Sequence, residues 1–299
     1  ATLVSEPAVT PLLSFEKLSS LTIAKLIAFG QQFLLPHSDS AKLDTEILLC
    51  FVMNKSASFL LTWPEHKLTP QQSQQFSALI QRRAQGEPIA YIVKIREFWS
   101  LPLQVSPATL IPRPDTEVLV ELVLSHHQDQ IIRCLDLGTG TGAIALALAS
   151  EHPQWQIEAV DYSHEAVALA KRNADNLNLT QVNIYQSDWF SQVSGEKCFD
   201  VIVSNPPYID ENDHHLNEGD VQFEPKTALV ALDNGLADIK IIARQALKFL
   251  KLGGFLYIEH GFEQSHAVQA ILTDLAYSEI QTIKDYSDND RVTWACYSI

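Results

Sequence analysis

The sequence predicts an α/β fold: a small helical bundle followed by a doubly wound, seven-stranded sheet with an antiparallel last strand. Two observations lead to this prediction. From residue 131 onward, short apolar runs alternate with amphipathic helical segments, the pattern of a largely parallel sheet covered by helices on both faces. Before that, residues 14–95 show helical periodicity and almost no glycine, which indicates a separate bundle.

The helical region carries clear start and stop signals. Residues 21–34 and 41–53 place apolar side chains at i, i+3, i+4 and i+7. A third helix has Thr69 as its N-cap, Pro70 at its first position and a glycine just after its end. We therefore expect a helical domain over residues 1–95, with its first dozen residues loosely ordered.

Residues 96–116 differ in composition from the segments on either side. They are aromatic, β-branched and punctuated by prolines, which favours a short β-hairpin followed by an extended linker. A helix is expected to begin at residue 114, where "PDTEVLVELVLSHH" starts. The remaining chain, 117–299, is expected to form the second domain.

Seven strands are expected in this second domain. They are predicted at 131–138, 155–162, 182–188, 198–205, 255–261, 278–286 and 291–299. The last two are joined by "SDND" and should pair antiparallel. A long helix is expected over 234–254, ending on Gly253 and Gly254.

The composition disfavours several classes of protein. The 299 residues carry a net charge of −15 and no cluster of Lys and Arg, so direct nucleic-acid binding is not expected. No apolar run approaches the roughly 18 residues that a membrane span needs. The four cysteines are far apart and lack metal-ligand spacing, which favours a reducing, cytoplasmic location.

A glycine loop lies between the first strand and the first helix of the alternating region. Gly138, Gly140 and Gly142 let the backbone turn tightly and approach a ligand closely. No Lys-Ser/Thr pair follows, which excludes a phosphate-binding P-loop. Asp136, just before the loop, suits a ligand with a cationic amino acid, as in S-adenosyl-L-methionine. A dinucleotide and a plain structural turn remain alternatives.

Two further strand ends carry acidic residues. Asp161 ends the second strand, where a carboxylate can accept hydrogen bonds from ribose hydroxyls. Asp188 ends the third strand and could accept from an adenine amino group, with Trp189 close to the ring. Alternatively, Asp188 caps a helix and Trp189 belongs to the core.

The motif "NPPY" follows the fourth strand and suits the binding of a planar amide or amine. Such a nitrogen is a poor nucleophile, because its lone pair is delocalised. The side-chain oxygen of Asn205 and the carbonyl of Pro206 could accept from its two N–H bonds. Pro206 and Pro207 fix φ and hold both acceptors still, and Tyr208 offers a flat face. A strand that merely ends on prolines is the structural alternative.

These motifs resemble class I methyltransferases that modify planar nitrogen. More narrowly, the chain resembles the HemK/PrmC family, the N5-glutamine methyltransferases of peptide chain release factors. The matching stretches are "DTEILL" (44–49), "GEPIAYI" (86–92), "REFWSLPLQVSPATLIPRPDTE" (96–117), "NPPYID" (205–210) and "FEPKTALVA" (223–231). One departure is Lys94, which stands where the family usually has glycine.

The resemblance implies a Rossmann-like fold, a donor, a substrate and their sites. The donor would be S-adenosyl-L-methionine, with S-adenosyl-L-homocysteine as product. The substrate would be the glutamine of the release factor's GGQ motif, and the helical domain would dock the rest of the factor. The implied catalytic residues are Asn205, Pro206, Pro207 and Tyr208. The implied donor-binding residues are Asp136, Gly138, Thr139, Gly140, Thr141, Gly142, Asp161, Asp188, Trp189 and Asn205.

Two other classes of protein are alternatives to a glutamine methyltransferase. An adenine-N6 methyltransferase shares the NPPY motif but would need a basic groove. A non-catalytic binding module would not need the acidic residues and Asn205 together. No metal is expected at the pairs 126–127 or 214–215, because adjacent histidines point different ways and no carboxylate completes a site.

Three acidic residues, Glu218, Asp220 and Glu224, lie in a long segment that is expected to close over the substrate. Arg113 could brace the substrate pocket or could belong to a plain linker. A monomer is expected.

Overall fold

The fold described here is a computed structural model of the chain, and the structure describes residues 10–298. The chain divides into two compact units, Ala1–Lys94 and Ile95–Ile299. The expected loose order of the first dozen residues falls, for residues 1–9, outside the described part. The hairpin that follows the helical region begins at Ile95 and belongs to the second unit.

The first unit is a helical bundle. Its helices are α1 (Phe15–Ser20), α2 (Ile23–Leu34), α3 (Ala41–Met53), α4 (Ala57–Thr62), α5 (Pro70–Ala84) and α6 (Ile89–Val93). Thr69 and Gln72 form a capping box at the start of α5, with reciprocal hydrogen bonds of 3.1 and 3.0 Å. A buried ion pair joins α5 to α3, since Arg83 Nε donates to Asp44 Oδ2 at 2.8 Å. Helix α6 ends at Lys94, whose φ of +63° is left-handed.

The second unit opens with a hairpin. Strands β1 (Ile95–Phe98) and β2 (Leu101–Gln104) pair antiparallel. The turn between them places Trp99 and Ser100 at positive φ, a geometry that usually selects glycine or asparagine. The Trp99 main-chain N–H donates to Glu117 and its indole N–H to Glu151, both at 2.8 Å. These two bonds hold the unusual turn in place.

A seven-stranded sheet forms the centre of this unit. Its strands are β3 (Arg133–Leu137), β4 (Gln156–Asp161), β5 (Asn183–Gln186), β6 (Phe199–Ser204), β9 (Leu250–Glu259), β10 (Ser278–Lys284) and β11 (Asp290–Cys296). The spatial order is β10-β11-β9-β6-β3-β4-β5, and β11 alone among these seven runs antiparallel to its neighbours. The predicted fold class is confirmed.

Helices cover both faces of the sheet. They are α7 (Glu117–His126), α8 (Ala143–Glu151), α9 (His164–Asn176), α12 (Ala237–Phe249) and α13 (Ser265–Asp274). The first three contribute to one apolar cluster and the last two to another. Among the helices of residues 10–298, none combines the length and the apolar character that crossing a membrane requires.

The segment after β6 has its own small structure. Strands β7 (Ile209–Asp210) and β8 (Val230–Ala231) pair in parallel, and between them lie 3₁₀ turns at His214–Asn217 and Gly219–Phe223 and the short helix α10 (Lys226–Leu229). A four-residue helical segment, α11 (Leu232–Gly235), follows. We call residues 211–229, the segment between β7 and β8, the lid. The pairing of β7 with β8 holds its two ends together.

The expected helix over 234–254 is wrong at both ends. Asp233 and Asn234 have left-handed φ, and α12 begins only at Ala237. It stops at Phe249, because Leu250 already pairs with Phe199 of β6. Gly253 and Gly254 therefore lie inside β9, next to an irregularity in that pairing, and do not end a helix.

Candidate active site

The carboxyl ends of β3, β4 and β6 bring the predicted motifs together. In the sheet register, Leu137 lies between Val160 and Ser204, so the residues that follow these three strands meet at one edge. The Ser204 hydroxyl donates to the Leu137 carbonyl at 2.8 Å and ties β6 to β3 at this point. Ligands of open α/β sheets bind at such an edge.

A cavity opens there. Among its lining residues are Gly138, Thr139, Gly140, Thr141, Asp161, Asn205 and Pro207. The three loop glycines all have left-handed φ, between +57° and +86°. The loop needs glycine at these positions because an L side chain would be strained. Residues 138–141 of the predicted glycine loop thus line one wall of this cavity.

Asp161 fixes the loop from the neighbouring strand. Its Oδ2 accepts from the Gly140 N–H and its Oδ1 from the Ser163 N–H, both at 2.9 Å. Burial raises the pKa of this carboxyl, although these backbone N–H groups oppose the rise. Each oxygen retains a further lone pair, so the carboxylate can still accept from hydroxyl groups of a ligand in the cavity.

Asp136 lies fully buried behind the loop and does not line the cavity. Its Oδ2 accepts from the Thr139 hydroxyl at 2.7 Å, while its Oδ1 has no hydrogen-bond partner among the described residues. Burial raises the pKa of this carboxyl to about 7, and the Ala145 N–H in the first turn of α8 opposes that rise. An unpartnered buried carboxylate oxygen beneath a ligand loop fits a donor that carries a cationic amino group.

The two predicted donor-binding residues that follow β5, Trp189 and Asp188, lie in different environments. A Cβ placed on Gly138 would lie 3.4 Å from the Trp189 ring, so this indole packs against the loop. It does not line the cavity, and its other contacts include the apolar cluster around α12 and the carboxylate of Asp238. Asp188 is exposed, outside the cavity, and its main-chain N–H donates to Ser191 Oγ at 3.1 Å. Gly142 also lies outside the lining, at the start of α8.

The NPPY motif separates this cavity from a second one. Pro206 and Tyr208 line the second cavity, Pro207 lines the first, and Asn205 lines both. Apolar lid residues close the second cavity, and Arg113 also faces both. The motif thus presents an amide side chain at the junction of two compartments.

The end of the NPPY motif is braced from behind. The Gln264 Nε2 donates to the Tyr208 carbonyl at 2.9 Å and to the Asn234 carbonyl at 3.1 Å, and its Oε1 accepts from the Gly261 N–H at 2.8 Å. Gly235 passes so close that an added Cβ would lie 2.0 Å from the Tyr208 oxygen. Neither residue is marked by a local sequence pattern, so neither could be predicted.

A charged network lies behind Tyr208. Arg291 approaches the Tyr208 hydroxyl at 3.5 Å and pairs with Asp285 at 2.9 Å. Glu259, fully buried at the end of β9, accepts from the Thr116 hydroxyl at 2.8 Å. Burial raises the pKa of Glu259 to about 7 and raises that of Tyr208 further above its usual value. One sequence pattern could have indicated this network, because "EHG" places the charged Glu259 at the end of an apolar strand.

In both pairs the two adjacent histidines lie toward the same neighbourhood, which contradicts the expectation that they point different ways. His126 Nδ1 and His127 Nε2 lie 2.8 and 3.0 Å from the same Tyr257 hydroxyl. His214 and His215 lie with ring centroids 3.9 Å apart, and the Asp213 carboxylate reaches His215 Nδ1 at 2.7 Å. Asp213, His214 and His215 form a cluster whose geometry could hold a metal, so the expectation that no carboxylate completes a site is wrong for this pair. The cluster is largely exposed, and the absence of a metal stays a prediction.

A seven-stranded sheet with an antiparallel last strand, a glycine loop after its first strand and an acidic residue at the end of the next define a class I methyltransferase. The structure of a methyltransferase from Pyrococcus furiosus shares this fold, with a TM-score of 0.51 and 20% identity over 67% of this chain and 90% of that one.

The sequence comparisons cover both units. A family model described as the PrmC N-terminal domain matches residues 25–93, and one described as the methyltransferase small domain matches residues 114–224. The release factor glutamine methyltransferase of Shewanella oneidensis is 53% identical over 91% of this chain and 94% of its own length. That of Escherichia coli is 55% identical over 88% of this chain and 95% of its own length. The chain therefore belongs to the family of release factor glutamine methyltransferases, and the protein is an enzyme that transfers methyl groups.

Proposed function

We propose that the protein methylates the side-chain amide nitrogen, N5, of the glutamine in the GGQ motif of a peptide chain release factor. S-adenosyl-L-methionine would be the donor and S-adenosyl-L-homocysteine the product. The names of the relatives support the substrate, since they act on a release factor glutamine. One structural observation carries the chemistry: Asn205 lines both of two adjoining cavities, so it can hold an acceptor amide beside a donor.

The first cavity is the proposed donor site. The loop from Gly138 to Gly142 would surround the donor, and Asp161 would accept from its ribose hydroxyls. Asp136 would balance its ammonium charge, and Trp189, which packs against Gly138 outside the cavity lining, would border the pocket of the adenine. The bound donor supplies an electrophilic sulfonium methyl group, so the protein's task is to align the acceptor with it.

The second cavity is the proposed amide site. The Asn205 side-chain oxygen and the Pro206 carbonyl would accept from the two N–H bonds of the glutamine amide. The prolines stiffen the backbone that carries both acceptors, which would limit their reorganisation as positive charge develops on nitrogen. Tyr208 would pack against the planar amide. In this arrangement the amide can pyramidalise toward the donor site.

Proton removal needs no dedicated base. The described residues that line the second cavity include no carboxylate and no histidine. A methylated amide cation is strongly acidic, so it would lose its proton to water once the two acceptors release it. The helical unit would supply the docking surface for the rest of the factor, and its exposed Leu61 and Trp63 are apolar anchors suited to that task.

The direct test is incubation with labelled donor and purified release factor, with DNA and RNA in parallel. We expect label on the factor alone, and none on a factor whose GGQ glutamine is replaced by alanine. Label on nucleic acid without label on the factor would favour adenine-N6 methylation and overturn the proposal.

A further inference from the structure

The two cavities share four lining residues. They are Leu110, Arg113, Asn205 and Ala228. Asn205 belongs to the NPPY motif, and Ala228 belongs to the lid. The other two lie in residues 105–113, which we call the strap, the segment between the hairpin and the 3₁₀ turn at Pro114–Thr116. The wall between the proposed donor and amide sites is therefore assembled from segments that are distant in sequence.

One carboxylate joins the lid to the strap. Glu224 is buried, and its Oε2 accepts from the Ile111 main-chain N–H at 2.8 Å. Its Oε1 pairs with the Arg113 guanidinium, whose Nη1 donates in turn to the Ile111 carbonyl at 2.8 Å. The carboxylate, the guanidinium and the main chain of one residue, Ile111, thus form a closed ring of hydrogen bonds.

The ring is suited to fixing position. Charge-assisted hydrogen bonds are short and directional, and a buried carboxylate is stable only with such partners. Prolines flank Arg113 on both sides and limit the freedom of the strap around it. At its ends the lid is held by the β7–β8 pair, so Glu224 is a further attachment that lies within the lid.

We propose that Glu224 is a positioning residue that latches the lid to the strap and so sets the wall shared by the two cavities. It touches neither proposed ligand and acts through Ile111 and Arg113. Because the same wall borders both sites, the latch aligns the acceptor nitrogen with the methyl group and couples the binding of the two ligands. The identity of the acceptor rests on the proposed function, whereas the latch itself does not.

The test compares Glu224→Gln with Glu218→Gln. Glu218 is an exposed acidic residue of the same lid and serves as the matched control. We expect Glu224→Gln to lower kcat on the release factor by about 10- to 100-fold, because small misplacements of reacting groups are costly, with a smaller change in KM. Hydrogen exchange of the strap should become faster in this variant alone. Equal kcat values and equal strap exchange in the two variants would overturn the proposal.

Two further measurements separate positioning from folding. If the pair acts as a unit, Arg113→Gln with Glu224→Gln should lose no more activity than the worse single variant. Multiplied losses would overturn the latch. If Glu224→Gln does not fold, Arg113→Lys decides. This variant keeps the positive charge but loses the planar guanidinium that can donate two hydrogen bonds at once. We expect an unchanged melting temperature, a lower kcat and faster hydrogen exchange of the strap. Wild-type kcat together with wild-type strap exchange would overturn the proposal.

The proposed function can fail separately from the latch. Strap exchange and the affinity for S-adenosyl-L-homocysteine are measured without any acceptor. A wild-type enzyme that does not label the release factor would disprove the substrate. The strap-exchange comparison of Glu224→Gln with Glu218→Gln would still decide whether the latch exists.

Discussion

The side-chain amide of Gln264 donates to the main-chain carbonyl of Tyr208 at 2.9 Å. This bond joins the turn before α13 to the last residue of the NPPY motif. The NPPY motif, which begins at Asn205, is therefore held at its last residue by a side chain that lines neither cavity.

Replacing this brace should affect turnover more than donor binding. We expect Gln264→Met to lower kcat by about tenfold, because the Tyr208 peptide loses its partner and the acceptor geometry loosens. Donor affinity, measured by calorimetry, should change little. Gln269→Met is the control within α13, where the side chain bonds, among residues 10–298, to Thr282 alone. An equal effect of the two variants on kcat would contradict the role of Gln264.

Gly235 should be the least replaceable of the glycines around this motif. Its φ is +81°, and an added Cβ would meet the Tyr208 oxygen at 2.0 Å. Gly253 has nearly the same φ, +82°, with nothing within 4 Å of an added Cβ. Gly253→Ala therefore measures backbone strain alone, expected at about 1–2 kcal/mol.

Gly235→Ala should cost more stability than that and should also impair turnover, because the NPPY motif must shift to accommodate the methyl group. Urea denaturation and kcat are the measurements. Equal free energies of unfolding for the two variants, with wild-type turnover, would show that the close approach is not needed.

Donor affinity should depend on pH through Asp136. Burial raises the pKa of this carboxyl to about 7 in the free protein, whereas a bound ammonium group favours the charged form. Binding therefore releases a proton below pH 7, and the affinity should fall by up to about tenfold per pH unit below that value and stay flat above it.

Asp136→Asn should remove this dependence. 5′-Methylthioadenosine is the control ligand, since it lacks the amino acid group and should bind with no such pH dependence. The measurement is the Kd of both ligands by calorimetry across this range. The same slope for both ligands would mean that Asp136 does not sense the ammonium group.

Lys94 should be a site of stored backbone strain. It stands at φ +63°, a left-handed position at the end of α6 where glycine is favoured. We expect Lys94→Gly to raise the free energy of unfolding by about 1 kcal/mol. Asn54→Gly is the control, because Asn54 caps α3 at φ +51° and asparagine tolerates this region. A gain no larger than that of the control, in urea denaturation, would contradict the prediction.

Much of the fold could be predicted because its signals are local. Strand and helix periods, the Thr69 cap and the glycine loop each depend on a few neighbouring residues, and the structure contains all of them. The helix over 234–254 was extended too far because Leu250 is also apolar, and only its pairing with Phe199 decides that it is a strand.

The supports of the candidate site could not be predicted in this way. Gln264 and Tyr208 lie 56 positions apart, and Glu224 and Ile111 lie 113 apart. A single sequence has no local pattern that pairs such residues, since the fold alone brings them together. The motifs that face the cavities were visible in the sequence, and so was Arg113 as a candidate brace. The pairing of Arg113 with Glu224 and the support of Tyr208 by Gln264 became visible only in the structure.

The most direct test of the proposed amide site is Asn205→Ala, with donor Kd and kcat on the release factor measured on the same preparation. Loss of one of two fixed acceptors should lower kcat by about 100-fold or more and leave the donor Kd nearly unchanged. A large loss of donor affinity with turnover largely retained at saturating donor would contradict the proposal that Asn205 holds the acceptor amide.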